Sequence, residues 1–315
     1  MIPAVAHFIW FGSTFPWVNL LAVRSAAERG GFCRLVLHHD GAAVTAPHFR
    51  ALEELPGFES RRIDLRATLK GVLQHGDIRQ LIALFDTLEA PSARANLVRA
   101  AILAAEGGVY LDMDTVTRAP LTPLRDAAAF CGVEPIVFPA VAVRSRNPAS
   151  WARAGALHVA RDLCRTIPGG WRPFRAIQSW YPWAANNAVL ACRPEHELAI
   201  GLLHDMLALP RARWGVRYAL GTHLLQDRLG RSPPEDVRIH PPPAFYPLPP
   251  EISQHWFRRT PGARTKLRKV LSQDTRVVHW YASVRTKKLV PRLDPDYVRL
   301  HADRQLFSAL AEPFV

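Results

Sequence analysis

Residues 95–116 read ANLVRAAILAAEGGVYLDMDTV. An Ala- and Leu-rich run with helical character ends in Gly107-Gly108, and a short apolar run, Val109 to Asp112, leaves that pair. Glycine tolerates the left-handed backbone that closes many helices. The order predicts a helix over 91–108, opened by Pro91 and Ser92, and then a strand over 109–112. A helix feeding straight into a buried strand belongs in an α/β fold. The same strand end carries two aspartates, Asp112 and Asp114, one residue apart.

The N-terminal stretch agrees with this class. AVAHFIW (4–10) predicts a buried strand, PWVNLLAVRSAAERGG (16–31) a helix and CRLVLHHD (33–40) a second strand. That β-α-β opening predicts a parallel, doubly wound sheet. SRRIDL (60–65) reads as a third strand and 77–90 as a helix. Further on, strands are expected at 136–143, 186–192 and 275–284, with helices at 150–166, 194–209, 216–230 and 294–312. No stretch has the composition of a flexible linker, so a single domain over 1–315 is expected, a length that buries a sizeable core.

Lys and Arg total 40 against 27 Asp and Glu, a formal charge of +13. Such a surplus fits an anionic partner, and equally a solvated basic surface. No helix-turn-helix, zinc-finger or RNP pattern is present, so no specific nucleic-acid partner is expected. Cys33, Cys131, Cys164 and Cys192 are widely spaced and predict reduced, buried thiols in place of a zinc site or a disulfide frame. The opening MIPAVAHFIWFG lacks the features of a signal peptide, and the apolar window 127–143 is interrupted by Glu134 and two prolines. The expectation is a soluble, cytoplasmic chain, with peripheral membrane contact through basic patches.

Side chains two apart on a strand share a face, so Asp112 and Asp114 point to one side if the chain stays extended. Paired carboxylates at a strand's carboxyl end suit a hard cation such as Mg²⁺ or Mn²⁺, and ligands of open α/β sheets lie beyond such ends. On the preceding helix, Asn96 and Arg99 are three apart and share a face. The alternative is an ordinary acidic strand exit with a solvent-facing arginine. VYLDMDTV also looks like the nucleophile strand of haloacid-dehalogenase phosphatases, with Asp112 as nucleophile and Asp114 as acid/base. That motif opens its fold near the N-terminus, and the only later adjacent acidic pair here is Glu235-Asp236. His38 and His39 in HHD point to opposite faces and cannot easily share an ion. The Trp-rich segment 169–187 suits either sugar stacking or apolar anchoring.

Read together, Arg99, Leu103, Gly107, Gly108, Tyr110, Asp112 and Asp114 form R-x-x-x-L-x-x-x-G-G-x-Y-x-D-x-D. This resembles the signature of the DXD-containing sugar transferases, glycosyltransferase family 32, to which the glucosylating domain of large clostridial toxins is related. IPAVAHFIWFG resembles the family's opening, and weaker matches follow in order: NNAVLACRPEHEL, ALGTHLLQDRL, FYP and HWYAS, so the resemblance covers about 2–284.

The resemblance implies a GT-A fold, a Rossmann-like sheet flanked by helices with an irregular, partly helical acceptor side. Residues of about 2–130 would form the nucleotide-sugar and metal half, 131–290 the acceptor side and closing segment, and 291–315 a C-terminal helix. It implies a retaining hexosyltransferase that uses Mn²⁺ or Mg²⁺ and a nucleoside-diphosphate sugar, with UDP as the expected nucleotide. The acceptor would be a glycan, glycolipid or protein, as in polysaccharide biosynthesis. The implied catalytic residues are Asp112, Asp114 and Arg99. The implied donor-binding residues are Trp10, Asn96, Arg99, Tyr110, Asp112, Asn186, Asn187 and Ser283. The implied metal ligands are Asp112, Asp114 and His279. Two departures stand out: Asn96 replaces the family's Asp, and Val284 replaces its closing Trp. The first bears on donor identity, since Asn keeps an acceptor oxygen but not the charge. Together they admit a second possibility, a degenerate, non-catalytic nucleotide-sugar or polyanion binder.

Overall fold

The apolar run at the N-terminus forms strand β1 (Val5–Trp10), whose four central side chains are buried. In the computed structural model, which describes residues 1–137, 147–231, 235–284 and 286–315, a helix at Trp17–Arg29 returns the chain to β2 (Arg34–His39). β2 lies parallel to β1, as expected. The next strands are β3 (Phe58–Arg62), β4 (Gly108–Leu111), β5 (Thr115–Thr117), β6 (Ala129–Pro135), β7 (Trp183–Cys192), β8 (Val237–His240) and β9 (Val277–His279). The residues gather into two compact units, Met1–Gly132 with Ala185–His240, and Val133–Ala184 with Pro241–Val315.

A sheet in the order β3-β2-β1-β4-β7-β6-β8 runs through the first unit, to which all but the last three residues of β6 and the first two of β7 belong. The all-parallel expectation is corrected here. β1, β2, β3 and β4 run parallel, but β7 pairs antiparallel with β4, Tyr110 opposite Leu190. The pairing puts a segment almost eighty residues later in the chain beside the end of β4. Helices at His75–Thr87, Pro91–Glu106 and Glu197–Ala208 build a core with this sheet through Leu81, Leu84, Leu97, Leu103 and Leu203. Truncating one such buried leucine to Ala costs about 2–5 kcal/mol.

Gly107 ends the Pro91–Glu106 helix, but not in the left-handed α region. Its φ of 63° and ψ of −152° lie where essentially only glycine goes. A Cβ there would sit 2.6 Å from the Pro194 nitrogen, and one on Gly108 would meet the Val5 carbonyl oxygen at 2.9 Å. Both glycines are therefore required by close backbone approach. The helix expected from 216 begins only at Thr222, because Tyr218 takes a positive φ of 67° and the preceding residues form turns.

In the second unit, Asn147 caps the helix Pro148–Thr166 by accepting from the Ala149 N–H at 2.9 Å. That helix buries Ala154, Leu157, Arg161 and Cys164, and Arg161 pairs with Glu251 at 2.7 Å. Trp256, Trp280 and Phe307 are fully buried, and Phe257 stacks on Phe307. The strand expected at 275–284 is short, Val277–His279, since Tyr281 turns the chain at φ 60°. The C-terminal helix is two helices, Pro295–His301 and Leu306–Ala311. Most of the strand expected at 136–143 lies outside the described residues. Cys131, Cys164 and Cys192 are buried free thiols, but Cys33 is exposed.

Candidate active site

The parallel register puts the carboxyl ends of β1, β2 and β3 on one sheet edge, with Trp10 beside His39 and His39 beside Arg62. β4 ends at Leu111 on the same edge, since His7 is level with Tyr110. This is where open α/β sheets bind ligands. An open cavity of about 630 Å³ continues the edge past β3, lined by Arg62, Asp64, Arg66, Phe85 and Asp86 among others.

Beyond Leu111 the chain turns instead of staying extended. The Asp112 N–H still donates to the Ala188 carbonyl at 2.9 Å, and the Thr115 hydroxyl closes the turn on the Asp112 carbonyl at 2.7 Å. Asp112 and Asp114 are half-buried, whereas Met113 between them is buried. A carboxylate oxygen of each lies within 4.8 Å of one on the other, so the pair shares a side despite the turn.

Arg99 is the hub. It is only 5% exposed, and its Nη1 donates to the Asn187 carbonyl at 2.7 Å. Nη2 donates to Asp112 Oδ1 at 2.9 Å and to the Tyr110 hydroxyl at 3.3 Å, while the guanidinium lies 4.1 Å from the Tyr110 ring centre. The Tyr110 hydroxyl itself donates to Asp112 Oδ1 at 2.7 Å. Burial pushes the Tyr110 hydroxyl well above its usual range, and the Asp112 charge adds to that, so the phenol stays a donor. Two donors thus converge on one oxygen of Asp112, a charge-assisted arrangement that fixes the carboxylate plane.

Asn96 meets the same strand. Its Oδ1 accepts from Asn187 Nδ2 at 2.9 Å, so Asn187 is held by Arg99 through its carbonyl and by Asn96 through its side chain. Gly221 lies against Asn96, where a Cβ would come within 2.7 Å of Asn96 Nδ2. Asn186 is buried, and its Oδ1 accepts from the Ala188 N–H at 2.7 Å. Trp10 is half-buried, donates from Nε1 to the Thr14 carbonyl at 2.9 Å and meets Phe15 edge-on. His279 is buried on β9 and Ser283 is exposed in the turn after it, both in the second unit.

Sequence reasoning missed two contributors. Thr115 closes the aspartate turn, a role signalled by a hydroxyl residue three positions after an Asp. Asp40 accepts from the Gly12 and Ala42 N–H groups and so ties the ends of β1 and β2. The neighbouring histidines do diverge: His38 faces His7 at 3.1 Å and His39 faces Ser60 at 2.9 Å. Asp236, offered as part of a phosphatase's later acidic pair, instead takes Arg193 and His196.

Residues 53–131, which contain Asn96, Arg99, Tyr110, Asp112 and Asp114, match the family model of the glycosyltransferase sugar-binding region containing the DXD motif. That stretch, about a quarter of the chain, is similar to the DXD-containing region of sugar transferases. The match favours the sugar-transferase reading of the two aspartates over the phosphatase one. A curated relative, Subversion of eukaryotic traffic protein A of Legionella pneumophila subsp. pneumophila (strain Philadelphia 1), is 31% identical over 116 residues, 36% of this chain. The match spans only 17% of that relative's length. Mouse xyloside xylosyltransferase 1 shares the fold, at a TM-score of 0.51 and 12% identity, over 89% of this chain and 98% of that one. The PaToxG glycosyltransferase superposes at a TM-score of 0.43 and 16% identity over 72% and 69% of the two chains. The likeness to the xylosyltransferase supports a GT-A kind of fold, a central sheet flanked by helices. No helix among the described residues is long and apolar enough to cross a membrane.

Proposed function

We propose that the protein is a glycosyltransferase that moves a hexose from a nucleoside-diphosphate sugar, with UDP as the nucleotide, to a hydroxyl of a glycan, lipid or protein, and that it depends on a divalent metal. The observation that carries this reading is the convergence of Arg99 and Tyr110 on Oδ1 of Asp112, which leaves the second oxygen of that carboxylate to a ligand. Two oxygens bound to one small divalent cation lie about 3–4 Å apart, given metal–oxygen distances near 2.1 Å. The Asp112 and Asp114 oxygens, within 4.8 Å, reach that span by a small side-chain rotation. Their all-oxygen chemistry fits Mn²⁺ or Mg²⁺, and the resemblance adds His279 as a third ligand. Such an ion, when bound, supplies positive charge against the departing diphosphate.

In the transfer, the bond between the anomeric carbon and the β-phosphate oxygen breaks and the nucleoside diphosphate leaves. The acceptor oxygen forms the new bond and gives up its proton to an oxygen of the departing diphosphate. Arg99 holds Asp112 and the Asn187 carbonyl in place, so it acts as a positioning residue for the acidic pair. Asn96 and Asn187 stand where the family contacts the donor sugar, and Asn96 presents an amide where the family presents a carboxylate. On the same resemblance Trp10 takes the base, Ser283 the diphosphate, and the linkage keeps the donor's α configuration.

The test is hydrolysis of UDP-sugars with Mn²⁺ by the wild type and by Asp114→Ala. The expected outcome is metal-dependent turnover that falls at least about 100-fold in the variant, with the melting temperature retained. Unchanged turnover and UDP binding in the variant would overturn the reading. A thermal-shift screen of nucleotide sugars with Mn²⁺ identifies the donor.

A further inference from the structure

The helix Pro148–Thr166 has an apolar face on each side. One packs into the second unit through Ala154, Leu157 and Cys164. The other is exposed, and at a globular surface it should be polar. Its row of every fourth residue reads Trp151, Gly155, Val159, Leu163 and then Ile167 at the C-cap, all of them exposed. Val159 and Leu163 are 67% and 62% exposed, and Arg153 is the only charged residue among the helix's exposed positions. The segment after the helix continues the surface. The Trp180 carbonyl accepts from Arg153 Nη2 at 3.0 Å, and the Trp180 and Trp183 rings are 59% and 43% exposed. Half of the large exposed hydrophobic residues among the described ones fall in 151–183.

The surroundings are cationic. Between residues 147 and 184, Arg153, Arg172 and Arg175 are exposed, while Arg161 and Arg165 pair with Asp162 and Glu251. Arg175 donates to the Lys269 and Val270 carbonyls, which brings in the helix Ala263–Val270 with exposed Arg268 and Lys269. An exposed aliphatic ridge with tryptophans and a basic flank matches the acyl boundary and headgroups of an anionic bilayer. We propose that this face, centred on Val159 and Leu163 with Trp151, Trp180 and Trp183, docks the protein on an anionic lipid surface. The inference is independent of the donor and metal chemistry above.

The experiment is co-sedimentation of the full chain with phosphatidylcholine vesicles, with and without phosphatidylserine. The expected result is binding only with phosphatidylserine, weakened by salt, and at least about tenfold weaker for Val159→Asp/Leu163→Asp. Both positions are exposed, so circular-dichroism melting should be retained. Should that variant fail to fold, Trp180→Ser/Trp183→Ser carries the same expectation. Failure to bind phosphatidylserine vesicles, or equal binding by a folded variant, overturns the proposal. So does self-association of the wild type that the double Asp variant abolishes, which would assign the face to a second copy of the chain.

Discussion

The Tyr110 hydroxyl donates to Asp112 Oδ1 at 2.7 Å, so the first aspartate of the pair is oriented before any ligand arrives. The two residues are two apart where β4 ends, and strand alternation puts their side chains on one face. Tyr110→Phe removes the donor and keeps the packing. Divalent-metal affinity, read by titrating Mn²⁺ against UDP-sugar hydrolysis, should weaken about ten- to a hundredfold, the worth of one hydrogen bond to a charged acceptor. A tyrosine that only fills space would leave the Mn²⁺ midpoint unchanged.

Arg99→Ala takes a donor from the Asn187 carbonyl and the partner from Asp112 at once. The pair is largely removed from water, with side-chain exposures of 6% and 27%. Breaking it should cost about 3 kcal/mol and lower the melting temperature by roughly 5–10 °C. Arg99→Lys should recover little, because an ammonium cannot donate along both arms of the fork. Calorimetry of the three proteins checks this, and full recovery by Lys would show that charge alone matters.

Asn96→Asp restores the residue of the family pattern. An Asp still accepts from Asn187 Nδ2, so the fold should hold within about 1 kcal/mol. What changes is the group left over, an amide donor replaced by a carboxylate acceptor. The expected outcome is a changed rank order of UDP-sugars in the hydrolysis assay. An identical order would remove position 96 from donor selection.

Acid should weaken the first unit through two buried histidines. Burial, with the Arg61 charge, pushes His7 down to about 3, and burial beside His7 pushes His38 well below its ordinary value. The unfolded chain takes these protons near pH 6.5, while the folded chain resists them. Stability from this source is therefore complete above about pH 6.5 and lost as the pH falls toward 3, by up to about 1.4 kcal/mol per pH unit for each histidine. Urea unfolding between pH 7 and 5 reads the slope. An unfolding free energy that stays flat over that range contradicts the assignment.

Much of the site could be read along the chain. The helix before Gly107, the strand after it and the shared face of Tyr110 and Asp112 all follow from periodicity and from glycine's conformational range. The turn was harder to see. Asp112 and Asp114 keep a common side although the strand stops at Leu111, because Thr115 folds the backbone under them. At 216–230 the apolar spacing was right for a helix, yet the left-handed Tyr218 delays the start to Thr222.

Asn187 shows where local reasoning ends. Its sequence neighbourhood predicts a strand but says nothing of that strand's direction or neighbour. Only the antiparallel pairing of β7 with β4 brings its carbonyl to Arg99, eighty-eight residues away. Strand pairing is made by backbone groups that every residue carries, so the choice of partner leaves no mark in the side-chain pattern. The amino-acid sequence by itself determined the helix–glycine–strand unit and the chemistry of its carboxylates, since those depend on residues a few positions apart. The tertiary structure decided which distant backbone Arg99 would grip, and so how rigidly Asp112 is held.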